Sequence, residues 1–217
     1  MQDIGKSITE SVRFITNVGE QIESLVRLVK DELSLSMEKI KAFKTANEWT
    51  NEVRRDEYEW VVTDYAHCIA LKPISKGNHG VAGYLGIQIS LVGDGIDIEN
   101  NEEPLLHVCW FNDPLDFEIE YFGIPIDEEA IFTVINGVIF DWNPGVEIFR
   151  DQRWSYSLRL TSINTPDDVK RKIVEPVISL FNNGIKESAL LLEKLDGIVQ
   201  YEQSDDQPTL VKITSKS

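Results

Sequence analysis

Two histidines and two cysteines sit on tracts that read as strands, His67-Cys68 and His107-x-Cys109, and these are the side chains that bind zinc. A zinc ion needs its donors converging on one point. Side chains alternate along a strand, so His107 and Cys109 share a face while His67 and Cys68 point to opposite faces. The spacing argues against a metal site; buried thiols and half-buried imidazoles are the expected roles. The strongest single candidate for acid–base chemistry is Asp64, which interrupts an apolar face formed by Trp60, Val62, Ala66 and Cys68. With His67 or His107 it could form an acid–base pair, the centre of a hydrolase. A carboxylate in a strand has a competing role at a sheet edge or in a structural hydrogen bond, and the sequence commits no residue to catalysis.

Other motifs fall short of their chemistry. Gly93-Asp94-Gly95-Ile96-Asp97-Ile98-Glu99-Asn100 resembles a calcium loop but lacks the ligand spacing and the closing Glu of one. Gly77 to Gly83 is rich in glycine, yet no Lys-Ser or Lys-Thr ends it and no helix signal follows, so it reads as a loop and not a phosphate cradle. No Gly-x-Ser-x-Gly elbow is present. No cofactor is expected.

Charge is the composition feature that departs from the ordinary. The 217 residues hold 21 Lys and Arg against 37 Asp and Glu, a formal charge of −16. The imbalance is concentrated: no Lys or Arg occurs between Lys76 and Arg150, an interval with fourteen acids. Such a chain repels phosphate backbones and anionic lipid, whose ligands are basic clusters, so neither nucleic acid nor membrane is an expected partner. A basic protein is, with Asp116, Glu118 and Glu120 on a strand-like tract as the docking residues. The competing reading is a solvated face that serves solubility.

The elements that must position these groups follow from periodicity. Ile4, Ile8, Val12, Ile15, Val18, Ile22, Leu25, Val29, Leu33, Met37 and Ile40 recur every three or four residues, the signature of one long amphipathic helix over residues 3–44. Such a helix outruns the body it packs on, so it must break, at Ser34-Leu35-Ser36, or its overhang must pair with a second copy or a partner. Between Tyr58 and Ile163 the period falls to two, predicting an antiparallel meander. Leu85, Ile87, Ile89 and Leu91 alternate with Gly86, Gln88 and Ser90, predicting one wet face. Phe117, Ile119 and Tyr121 predict a further strand, Asn136-Gly137 a hairpin turn, and Trp154 to Leu160 the strand that closes the sheet. Thr165-Pro166-Asp167-Asp168 announces a helix, kinked at Pro176 and divided near Asn182-Asn183-Gly184. Leu210 to Ile213 could add an edge strand.

The expected fold is α+β: a long N-terminal helix, an antiparallel meander of about six to eight strands and a C-terminal helix on one sheet face. The expected divisions are a helical arm over 1–50, an α+β domain over 51–202 and a polar tail over 203–217. No basic apolar leader opens the chain and neither thiol is needed to fold it, so a cytoplasmic location is expected. The function expected is a non-catalytic acidic protein-binding module of inhibitor, escort or adaptor type, with possible dimerisation through the N-terminal helix. The alternatives are the Asp64 hydrolase and a small-molecule binder with its pocket beneath the C-terminal helix.

Overall fold

The computed structural model describes residues 4–74, 80–92, 103–115, 117, 131–146, 152–203 and 211–214. The helical periodicity produces α1 (Ile4–Ser36), unbroken for 33 residues. It ends at Ser36, passes through a tight turn over Met37–Lys39 and straightens at Ile40. The helix expected over residues 3–44 thus stops at Ser36, within the Ser34-Leu35-Ser36 stretch where a break was expected, and its first half is still left exposed.

The strands are β1 (Phe43–Thr45), β2 (Glu52–Arg55), β3 (Val62–Pro73), β4 (Gly83–Ser90), β5 (Leu105–Phe111), β6 (Thr133–Ile135), β7 (Ile139–Asp141), β8 (Trp154–Arg159), β9 (Gln200–Gln203) and β10 (Val211–Thr214). Eight form one antiparallel sheet in the order β1-β3-β4-β5-β8-β7-β6, with β2 also paired to β3, while β9 and β10 pair separately. β3, β4, β5 and β8 make the central meander. β8 does not close the sheet, as alternation alone suggested. The β6–β7 hairpin adds beyond it. Asn136 and Gly137 both have positive φ, 51° and 69°, and Val138 N–H donates to the Ile135 carbonyl at 3.0 Å, the primed turn that matches strand twist. The expected strand through Phe117, Ile119 and Tyr121 falls largely outside the described residues.

One face of the sheet carries Ile69, Leu71, Leu85, Ile87, Ile89, Leu106, Val108, Trp110, Tyr156 and Leu158. Helices cover it: the second half of α1, then α2 (Pro166–Val169), a wide π turn over Lys170–Val174, α3 (Glu175–Asn183) and α4 (Ile185–Leu192). Phe43, Trp110, Trp154 and Phe181 meet at ring distances of 5.1 to 5.6 Å and lock the sheet to α3. α2 starts as its sequence dictates. Thr165 Oγ1 accepts from Asp168 N–H while the Asp168 carboxylate takes the Thr165 N–H, and Pro166 occupies the first turn. Gly184, with φ of 86°, separates α3 from α4.

The opposite sheet face corrects an expectation. Gly86, Gln88 and Ser90 do not face water; all three are buried. That face is covered too, by Leu115 beside Ala66, Cys68 and Cys109, and by Phe132, Val199 and Tyr201 around Leu105 and Phe140. Trp60, expected on the buried face of its strand, precedes β3 and is 85% exposed at the tip of the β2–β3 hairpin. There Glu59 takes φ of 58° and Asp56 Oδ1 accepts the Trp60 and Val61 N–H groups. No helix among the described residues is long and apolar enough to cross a membrane.

Candidate functional site

Strand register decides which of the candidate residues meet. Asp64 is opposite Ser90, Gln88 opposite His107, and His107 opposite Ser157, so these five side chains form a polar row across β3, β4, β5 and β8 on the face away from the helices. Asp64 and His107 are each 1% exposed. The Ser90 hydroxyl donates to Asp64 Oδ1 at 2.5 Å, and Gln88 Nε2 donates to Ser90 Oγ at 2.9 Å. His107 Nδ1 lies 2.7 Å from Ser157 Oγ. Burial pushes the His107 pKa down to about 3, so the ring is neutral in the folded protein.

This row resembles a hydrolytic site in composition but not in arrangement. A serine nucleophile needs a base that is itself oriented by a third group. His107 Nε2 is buried and has no hydrogen-bond partner, while the Asp64 carboxylate is taken up by Ser90 and its Oδ2 is likewise unpartnered. His67, the other half of the expected pair, projects through the opposite face of β3. The structure brings Asp64 and His107 to one face and leaves His67 behind the sheet.

The thiols occupy the same face as the row. Cys68 and Cys109 flank Gly86 across two strand spacings, about 9.5 Å, which is beyond the Cα reach of a disulfide. Gly86 is required there, because a Cβ at that position would sit 2.7 Å from Cys109 Sγ and 3.0 Å from Leu115 Cδ1. Cys68 Sγ accepts the Leu115 N–H at 3.2 Å, and burial raises its pKa to about 11. Among the described residues no three His, Cys, Asp or Glu side chains are placed to share a metal ion.

His67 faces a cleft between α1 and the β2–β3 pair, about 510 Å³ in volume. Glu23, Arg27, Lys30 and Asp31 line it from the helix, two acids and two bases, with Tyr65 and His67 on the β3 side and Asn51 on the approach to β2. Burial first, and Lys30 second, lower the His67 pKa to about 4. Burial, reinforced by Glu23, raises that of Tyr65. A second cleft of about 360 Å³ lies beneath α4, between Ile185 and the β6–β7 hairpin, where burial raises the Asp141 pKa.

Sequence reasoning missed Arg27, Lys30 and Tyr65, which belong to two distant segments with no shared motif. It missed Ser157 because only register places it against His107. Of the acids expected to dock a partner, Asp116, Glu118 and Glu120 lie outside the described residues.

Compared with protein-family models, with curated proteins and with solved structures, the chain matches none.

The first half of α1 is the remaining feature. Ile4, Ile8, Val12 and Ile15 are 46% to 74% exposed, yet they continue the stripe that buries Val29 and Leu33 to 1%. Its charged residues, Lys6, Glu10, Arg13 and Glu20, fall on the opposite side of the helix, and Lys6 pairs with Glu10 at 3.7 Å.

Proposed function

We propose that the protein is a non-catalytic binding module that takes a basic protein partner through its acid-rich middle segment and associates with a second copy through the first half of α1. The observation that carries this reading is the apolar stripe of α1, continuous in sequence but covered over only half its length. A stripe of that kind on a soluble helix is the usual mark of an interaction surface. Ile4, Ile8, Val12 and Ile15 stay 46% to 74% exposed along one face of the helix, and a symmetric pair would cover that face on both copies.

The charge distribution supports the basic partner. Of the fourteen acids between Lys76 and Arg150, Glu103 is taken by Arg159 at 3.0 Å. A one-sign segment accelerates encounter with a complementary surface and rejects like-charged ones. The hydrolase alternative has less support, since His107 lacks an orienting group and the row that holds it is closed.

Two measurements test the two halves separately. Sedimentation velocity is expected to show a dimer that Ile8→Asp with Ile15→Asp reduces to monomer; a wild-type monomer at tens of micromolar overturns self-association. A partner that co-purifies with the wild type, is released by salt and is lost from Glu118→Lys with Glu120→Lys supports docking. Full retention by the charge-reversed chain overturns it.

A further inference from the structure

Four consecutive side chains at the tip of the β2–β3 hairpin serve nothing in the fold. Glu57, Tyr58, Glu59 and Trp60 are all exposed, Tyr58 by 73% and Trp60 by 85%. Among the described residues these side chains make no hydrogen bond, ion pair or ring contact. Tryptophan carries the largest apolar body of any side chain and is on average mostly buried. The backbone beneath the four is nonetheless fixed. The Asp56 N–H donates to the Val61 carbonyl at 2.9 Å and the Glu59 N–H to the Asp56 carbonyl at 2.8 Å, while Asp56 Oδ1 accepts the Trp60 N–H at 2.7 Å and the Val61 N–H at 2.9 Å. Glu59 holds φ of 58°, a conformation that glycine adopts without steric cost and glutamate does not. Glycine would serve this turn better, so the backbone does not explain the glutamate.

The tip is thus a rigid mount for two aromatic rings that alternate along the chain with two unpaired carboxylates. Rings and carboxylates together call for one kind of group. An arginine guanidinium stacks on an indole face and still presents its N–H fork to carboxylates, whereas a lysine ammonium is more strongly hydrated and has no flat face to stack. We propose that the hairpin tip anchors an arginine-bearing segment of a protein partner, with the Trp60 and Tyr58 rings taking the guanidinium face and Glu57 and Glu59 taking its charge. Tryptophan and tyrosine dominate the energetics of protein interfaces, and a turn already held by four hydrogen bonds loses little freedom on binding. The overall charge of −16 draws a basic partner in and turns anionic surfaces away. The inference rests on the reading of a basic partner but not on where the acid-rich segment docks, because it uses none of the acids between Lys76 and Arg150.

The test is nuclear magnetic resonance of the indole N–H signals in the full chain, titrated with octa-arginine peptide at physiological ionic strength, with Trp60→Phe identifying the Trp60 signal. The expected result is a saturable shift of that signal, with affinity lowered about threefold or more by Trp60→Ala, and by Glu57→Gln with Glu59→Gln, at unchanged circular dichroism. Octa-lysine, equal in charge, is expected to bind several-fold more weakly. Glu59→Gly is expected to weaken binding while leaving the unfolding temperature equal or higher, a split that a structural role for Glu59 would reverse. An unmoved Trp60 signal, undiminished affinity in Trp60→Ala, equal affinity for the two peptides, or a lowered unfolding temperature in Glu59→Gly overturns the proposal. Binding lost from Glu118→Lys with Glu120→Lys but kept by Trp60→Ala overturns the hairpin anchor and leaves docking through the acid-rich segment standing. The converse result keeps the anchor and overturns that docking.

Discussion

A neutral histidine held inside a sheet ties stability to acidity. His107 has a folded pKa of about 3 against an ordinary value near 6.5, and His67 one of about 4. In both cases burial is the main cause, and in both the unfolded chain binds the proton more readily. The stability each contributes is complete above about pH 6.5 and drains away as the pH falls towards the folded value, by up to about 1.4 kcal/mol per pH unit for each ring. Replacing His107 by Gln is expected to lower stability at pH 7.5 through the lost Ser157 contact, but to flatten the decline between pH 6.5 and 4. Urea unfolding midpoints of the two chains at pH 7.5, 6 and 5 measure this; parallel declines would show that His107 titrates alike in both states. Asp168 adds to the same acid sensitivity: its hydrogen bond with Thr165 holds its carboxyl well below the ordinary range, so its contribution is present above about pH 4 and is lost below it.

At the scale of elements, the helical run after β8 shows how a local defect is repaired from the sheet. Pro176 offers no N–H to the turn before it, and that turn widens into the π segment Lys170–Val174. The Tyr156 hydroxyl, projecting from β8, lies 3.2 Å from the Lys172 carbonyl and 3.3 Å from that of Ile173, and donates into the gap. Lys172, although buried, is held by the Ser162 carbonyl at 2.6 Å and by Asp168 at 3.2 Å. Tyr156→Phe should therefore cost about 1–3 kcal/mol. In a Pro176→Ala background, where an N–H is restored, it should cost less, and a double-mutant cycle on unfolding free energies reads the difference. Additive effects would mean that the hydroxyl does not compensate the proline. The sequence made much of this level legible: the Thr165 cap, the disturbance at Pro176 and the Asn136-Gly137 turn each rest on a property of one or two residues. What stayed hidden needed register. Gln88 and Ser90 read as solvent-facing because alternation reveals that a strand has two faces and is silent on whether a polar face is then covered. For the same reason the Asp64–Ser90 and His107–Ser157 contacts, and the separation of His67 from both, could not be read from the chain.

At the scale of the molecule, α1 belongs half to the core and half to the surface. Ile22, Val26, Val29 and Leu33 lie in the same buried cluster as the sheet and α3, whereas the turns before Asn17 stand clear of it. Leu33→Ala should cost about 2–5 kcal/mol, the usual penalty for a cavity in a packed interior. Ile15→Ala should change the stability of a dilute sample by less than about 0.5 kcal/mol. Chemical denaturation at low protein concentration checks both. A large loss from Ile15→Ala in the monomer would mean that the stripe is already buried within the chain. The long period of the pattern revealed the helix and its overhang from sequence, but could not show where the covering stops, since that depends on how far β3 and β4 extend beneath it.

The pair of thiols around Gly86 has a use that follows from where they sit. Cys68 and Cys109 lie at the centre of the meander, sealed by Leu115 and protonated at any physiological acidity. An alkylating reagent meets them once the Leu115 cover lifts or the middle strands part, so the pace of their modification is a clock for the opening of that face, while both cysteines stay silent to the fraying of α1 on the other side of the sheet.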